Sequence, residues 1–252
     1  MIYVYMMIIL EVQTYPGAWA LDLMQLIYKG GGKDRCCPSS YCGIYLLNTL
    51  TKLFEGQIES RLAQFTGKRD TLTSTQQGSR TSRLIHDAIY ARIATIQQKR
   101  QNGMPSYCSF VDLTTTYPSV HKTLLAYTFK NYNIKGKIWH LLKASSRKVR
   151  IRVLHALIEE GDEVDIFHGL AEGSRLSPTL FGICAAELIH ELRTKFPELK
   201  FDDITSIDNF NCLYVDDMVL IARSATQHII DACQQWSERS FMKINHERFF
   251  HG

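Results

Sequence analysis

Apolar residues recur along the chain at two different periods, and the change of period organises it. Leu46, Leu47, Leu50, Leu53, Phe54, Ile58 and Leu62 recur at three and four residues, the spacing that lines one face of an α-helix. From about Ser82 to Gln101, the positions Leu84, Ile85, Ala88, Ile89, Ile93 and Ile96 make a second helical stripe, closed by Asn102-Gly103 and Pro105. The period then shortens. Tyr107 to Val111 reads as a short β-run that ends at Asp112, and Val149 to Val153 alternates apolar with basic, as a half-solvated strand does. Leu180 to Leu192 reads as a helix with Pro178 near its first turn. Cys212 to Val215 and Met218 to Ile221 are apolar strands joined by Asp216-Asp217, a hairpin with carboxylates at its tip. Ile229 to Arg239 predicts a further helix. Helices alternating with strands and one clear hairpin predict an α+β fold with a mixed or antiparallel sheet.

Composition narrows the class. With 252 residues, 45% of them hydrophobic, the chain can bury a sizeable core as one large domain or two small lobes. The opening run Met1 to Val12 is apolar but too short for the roughly twenty residues a membrane helix needs, and it has no basic leader, so it reads as buried structure. No signal peptide or transmembrane helix is expected, and no membrane partner. Seven cysteines without a C-x-x-C pair argue against a disulfide framework or a zinc ribbon, which places the chain in a reducing, intracellular setting, nucleus or cytoplasm.

The net charge of +4 conceals an uneven distribution. From Leu113 to Ile158 there is no Asp or Glu, while Lys122, Lys130, Lys135, Lys137, Lys143, Arg147, Lys148, Arg150 and Arg152 all fall there. Subtracting those nine from 29 leaves 20 basic against 25 acidic residues elsewhere. Such a stretch suits a phosphate backbone, or equally a solvated basic face.

Two aspartates at a hairpin tip repel one another, so a fold that places them together usually supplies a cation. Asp112, at the end of its own strand, is positioned to complete an oxygen-rich Mg²⁺ site. Two ions about 4 Å apart in such a site would serve phosphoryl transfer.

Around that hairpin stand further blocks. Trp19 to Leu62 (WALDLMQLIYKGGGKDRCCPSSYCGIYLLNTLTKLFEGQIESRL), QQGSR at Gln76 to Arg80, FVDLTTTYPSV at Phe110 to Val120, GLAEGSRLSPTLF at Gly169 to Phe181, Tyr214-Val215-Asp216-Asp217 and MKINHERFF at the end occur in one order. Together they resemble the reverse transcriptase domain of non-LTR (LINE-type) retrotransposons, truncated and partly degenerate, over about Trp19 to Phe250. The resemblance implies a right-hand polymerase of fingers (1–105) and palm (106–252, with 169–182 as the substrate block), helices packed on an antiparallel palm sheet, and no thumb.

It further implies RNA-directed DNA polymerase activity by two-metal nucleotidyl transfer, on an RNA template with a DNA primer and deoxynucleotide triphosphates. Asp112, Asp216 and Asp217 would bind two Mg²⁺ ions, Mn²⁺ being an alternative. Tyr117 matches the aromatic that blocks a ribose 2′-hydroxyl, Lys29 the lysine that pairs with the triphosphate, and Gly173 the glycine that lets backbone approach substrate. Glu172 and Arg248 fall at further nucleotide-binding positions. Tyr214, Arg147, Lys148, Arg150 and Arg152 would contact nucleic acid. Several positions depart from the family pattern: Cys42 for arginine, Glu172 for glutamine, Thr115-Thr116 for Lys-Ala, Pro118 for aspartate and Arg248 for lysine. These leave open a catalytically inactive remnant that at most binds nucleic acid, or an RNA-binding scaffold.

Overall fold

The computed structural model describes the chain apart from residues 70, 79, 81, 146–148, 155–161, 198–209, 216, 223–226, 245–249 and 252. Helix α1 (Ile2–Val12) leads to strands β1 (Leu21–Tyr28) and β2 (Tyr41–Leu46), then α2 (Thr49–Lys68) and α3 (Ile85–Gln101). Next come β3 (Tyr107–Val111), β4 (Leu113–Thr114), α4 (Thr116–Ser119), α5 (Lys122–Asn131) and α6 (Gly136–Ser145). Strands β5 (Val149–Leu154) and β6 (Glu163–Ile166) precede α7 (Ser177–Lys195). The chain then forms β7 (Phe210–Tyr214), β8 (Asp217–Ala222), α8 (Gln227–Ser240), β9 (Lys243–Ile244) and β10 (Phe250–His251).

The strands make two four-stranded sheets. One, in the order β2-β1-β5-β6, is mixed: β5 lies parallel to β1 and antiparallel to β6. The other, β10-β3-β8-β7, is antiparallel throughout, and β4 with β9 makes a two-stranded annex. The fold is therefore mixed helix and strand, with helices on an antiparallel sheet. α7 is its axis. Leu180, Phe181, Ile183, Cys184, Leu188, Ile189 and Leu192 are all buried, and one apolar core runs from Ile9 and Phe54 through α7 to Trp236 and Ile244.

Local chemistry starts the helices where they start. The Asn48 side chain accepts the Leu50 N–H at 2.8 Å ahead of α2. The Asp87 carboxylate accepts the Leu84 N–H at the head of α3, and His121 Nδ1 accepts the Thr123 N–H ahead of α5. Pro178 lies in the first turn of α7, where its missing N–H has no intrahelical use.

Two hydrophobic patterns resolve differently from expectation. The run at the start does form α1, but only Ile9 is buried. The stripe on α3 faces solvent: Ile89, Ile93 and Ile96 are exposed, while Ala88, Thr95 and Lys99 are buried. The cause is the surface α3 packs on. Cys108, Cys212, Val219 and Ile221 form the outer face of the antiparallel sheet, and against them stand the small residues Ala88 and Ala91. Small side chains let a helix lie close on a sheet; isoleucines would hold it off. The opposite sheet face, with Val111, Leu213, Met218 and Leu220, joins the main core. Apolar on both faces, these strands read as continuous apolar runs.

Candidate functional site

Strands β7 and β8 close on the pair Tyr214 and Asp217, so the two linking residues are Val215 and Asp216. Asp217 thus opens β8 and is not itself a turn residue; Asp216 lies outside the described residues. Val215 has φ 59°, a left-handed conformation that costs a β-branched residue roughly 1–3 kcal/mol. The tip is backed by a second segment. Leu213 N–H donates to Thr75 O, and Gln77 N–H donates to Leu213 O, each at 2.9 Å. This lays Gly78 under the tip, where a Cβ would stand 2.3 Å from the Val215 nitrogen. The Arg80 guanidinium bonds Thr73 O and Gln76 O, and Gln76 Nε2 donates to Gly182 O on α7. The glutamine, glycine and arginine of QQGSR thus brace the hairpin. Their block was legible in the sequence, but this bracing role was not.

β3 runs antiparallel to β8 with Val111 opposite Met218. The ladder ends at that pair, and Asp112 and Asp217 are the next residue beyond it on either side, where neighbouring backbones are about 5 Å apart. Asp112 is half-buried and Asp217 exposed. Beyond Asp112 the chain turns away through β4, a left-handed Thr115 (φ 47°) and α4. Pro118 is the third residue of α4, still in the first turn, and the short helix forms around it. The Tyr117 ring meets Phe181 of α7 edge-on at 5.7 Å.

Residues 169–176 form the facing wall. Gly169 N–H donates to Val120 O and Leu170 N–H to Tyr117 O, docking this segment on α4. Glu172 O accepts the Tyr45 N–H of β2. Gly173 has φ +119°, and a Cβ there would lie 2.4 Å from Tyr45 O, so only glycine fits. Behind the wall, Glu55 of α2 accepts Ser174 Oγ at 2.8 Å and the Arg175 N–H at 3.3 Å, and Glu59 accepts Thr179 Oγ1. Sequence reading passed over Glu55 because it is an ordinary polar position of an amphipathic pattern.

Two of the departures meet on this wall. Cys42 Sγ donates to Glu172 Oε2 at 3.1 Å, and that bond to a carboxylate, helped by burial, pushes the thiol pKa up. Lys29 is near enough to oppose the rise, and its ammonium donates to Ser39 O at 3.1 Å.

The basic stretch is altered by the sheet. Arg150 and Arg152 both bond to Glu163 on β6, at 2.5 and 2.8 Å, and Lys137 pairs with Glu11 of α1 at 2.6 Å. The acids absent from the sequence neighbourhood arrive from elsewhere in the fold. Arg147, Lys148 and Arg248 lie outside the described residues. Among the described residues there is no cluster of three or more His, Cys, Asp or Glu able to hold a metal, and no helix is long and apolar enough to cross a membrane.

The profile of the family "Reverse transcriptase (RNA-dependent DNA polymerase)" matches residues 28–250. Two Drosophila melanogaster proteins are similar over 95% of the chain: the RNA-directed DNA polymerase from mobile element jockey, 24% identical, and the probable RNA-directed DNA polymerase from transposon BS, 25% identical. The chain spans about a quarter of each, 26%. Among solved structures, apo telomerase from Candida tropicalis, truncated from its C-terminal domain, superposes with a TM-score of 0.64 at 13% identity. That match covers 95% of this chain and 51% of the telomerase. Candida albicans telomerase with a fragment of telomeric RNA gives 0.67 at 11%, over 96% and 42% of the two chains. At such identity the structures speak for the fold alone. A hairpin bearing Tyr214 to Asp217, an aspartate in register beside it and a family match over most of the length together make this chain a member of the reverse transcriptase family, similar to the polymerases of non-LTR retrotransposons.

Proposed function

We propose that the chain is the RNA-directed DNA polymerase domain of a non-LTR retrotransposon, with fingers over 1–105 and palm over 106–252, β5 and β6 returning to the first sheet. The observation that carries this reading is that Asp112 and Asp217 adjoin at the hairpin end. Asp112, Asp216 and Asp217 would hold two Mg²⁺ or Mn²⁺ ions. Carboxylates are the hard oxygen donors such ions take. When bound, those ions activate a primer hydroxyl and neutralise the leaving pyrophosphate.

The chain's own residues do the positioning. Tyr117, held against Phe181, narrows the sugar site and excludes a 2′-hydroxyl. Gly173 brings backbone to the substrate, with Glu172 beside it. Lys29 and Arg248 would serve the triphosphate, and Tyr214, Arg147, Lys148, Arg150 and Arg152 would serve the template and primer backbones. RNA template, DNA primer and deoxynucleotide triphosphates are the partners.

The contact between Cys42 and Glu172 favours a second reading, an inactive remnant that at most binds nucleic acid, because it sets a carboxylate where a triphosphate would lie. Primer extension on an RNA template, with Mg²⁺ and then Mn²⁺, separates the two. Incorporation that falls by about a hundredfold or more in Asp112→Asn supports the polymerase. No incorporation with either ion, under conditions where a similar retrotransposon polymerase extends, establishes the remnant.

A further inference from the structure

A second group of acids lies away from the hairpin, inside the fold. Asp22, on β1, is only 5% exposed, and its carboxyl has no hydrogen bond or ion pair among the described residues. Thr51 and Glu55 stand one turn apart on α2, hence on the same helix face. Thr51 is 4% exposed, and its Oγ1 is buried with no partner. Glu55 is 6% exposed and uses Oε2 for both of its bonds, to Ser174 Oγ and the Arg175 N–H.

All three residues line one cavity of about 90 Å³ between β1, α2 and the 169–176 segment. Since a water needs roughly 10–15 Å³ on this measure, the space holds several solvent molecules or an ion with part of its shell. A buried carboxyl without a partner, as at Asp22, is costly, and a second buried carboxyl on the same cavity adds to the case for a compensating charge.

The two basic groups that line the cavity pair with neither acid among the described residues, and Lys52, outside the lining, is the weakest of the influences on Glu55. Lys122 lines the same cavity, but its ammonium is directed to Ile166 O at 3.5 Å, and burial lowers its basicity with no carboxylate opposing the fall. His168 also lines the cavity, with its ring stacked on His121 at 4.9 Å. Among the residues lining the space, Asp22 and Thr51 offer oxygens without a partner and Glu55 an oxygen beyond the one its two bonds use.

We propose that this cavity is a site for one hard divalent cation, bound by the carboxyls of Asp22 and Glu55 and by the Thr51 hydroxyl, with cavity water completing its shell. The ligand set is oxygen throughout and irregular, which suits Ca²⁺ better than the strict octahedron of Mg²⁺. Its position gives it a structural role. Glu55 already grips Ser174 and Arg175, so an ion joining Glu55 to Asp22 ties β1 to the segment that carries Gly173. The site shares no residue with the hairpin aspartates and stands whether or not the chain polymerises DNA.

The test uses the full chain carrying Asp112→Asn and Asp217→Asn, so that two of the hairpin carboxylates are gone. Its melting temperature is measured after EDTA treatment at about pH 8, where the carboxyls are ionised. Millimolar CaCl₂ or MgCl₂ is then added, with KCl of equal ionic strength as the control. Ca²⁺ is expected to raise the melting temperature by several degrees with one ion bound per chain by calorimetry. Adding Asp22→Asn, an isosteric change that removes a buried charge, should abolish the shift with the circular dichroism spectrum retained. Thr51→Val should shrink it. Absence of a shift, a shift that KCl reproduces, or a shift that survives Asp22→Asn would overturn the site.

Discussion

The antiparallel sheet and the wall that faces it treat the same kind of residue differently. At the sheet end, Asp112 and Asp217 adjoin at the end of one ladder and remain open to solvent in part or whole. On the wall, the acid at Glu172 is turned to the Cys42 thiol, and the acid at Glu55 is buried as a brace for Ser174 and Arg175. A ladder of backbone hydrogen bonds positions the first pair whatever surrounds it. The wall instead relies on close approach and individual side-chain contacts, which single substitutions rewrite. The geometry at the sheet end is thereby less sensitive to single substitutions than that of the wall.

Gly173 carries the largest expected effect. Gly173→Ala sets a methyl 2.4 Å from Tyr45 O at a φ that side chains rarely adopt, so the wall must move. Roughly 3 kcal/mol of lost stability is expected, with primer extension abolished although the sheet end is untouched. Urea unfolding and extension assays on one preparation check both. Loss of activity without loss of stability would show that the wall yields more easily than its packing indicates.

The Cys42 and Glu172 contact carries the next largest. Cys42→Arg alone places a guanidinium beside the Glu172 carboxylate, which captures it; with Glu172→Gln the arginine is released toward substrate. The double variant should lower the nucleotide KM by about tenfold more than the two single changes combined. Additive effects in the steady-state cycle would mean that the two side chains act apart.

Acidity gives a smaller effect. Burial pushes Asp22 from 3.8 to about 6 and Glu55 from 4.5 to about 7, the latter against the pull of its bonds from Ser174 and Arg175. Lys52 also opposes the rise at Glu55, and Asp22 adds to it. Both acids hold their protons more tightly folded than unfolded. Their contribution is therefore complete below about pH 4 and lost as pH climbs through 6 and 7, on the order of 2 kcal/mol each. In EDTA, stability should fall between about pH 4 and about pH 7, and Asp22→Asn should flatten that slope. A pH-independent denaturation midpoint would remove the claim that burial raises the proton affinity of these acids.

The least effect is expected at Glu163. Glu163→Gln frees Arg150 and Arg152, and RNA binding at low salt should tighten by about two- to fivefold, with stability changing by less than about 1 kcal/mol. Filter binding across a salt series reads it. Unchanged affinity would place those arginines away from the nucleic-acid path.

Much was legible before any coordinates. Short-range periodicity located α2, α3, α7, α8 and β3, and the apolar runs around Asp216-Asp217 located the hairpin, because these patterns depend only on neighbours within a few residues. Fold class followed from their order. The outward turn of Ile89, Ile93 and Ile96 was not legible, since which face of a helix is buried depends on the size of the residues it meets, here Cys108, Cys212 and Val219. Nor was the neutralisation of Arg150 and Arg152, whose partner Glu163 is a neighbour only across the β5 to β6 ladder.

The order of the blocks, and the aspartates with the strands that present them, belonged to the chain itself. Tertiary structure alone decided that Asp112 and Asp217 adjoin at the end of one ladder, that Gly78 supports the hairpin tip, that Cys42 meets Glu172, and that Asp22 and Glu55 line one cavity. The physical reason is separation: local backbone preference acts over a turn or two, whereas register, close approach and burial arise between segments far apart in the chain.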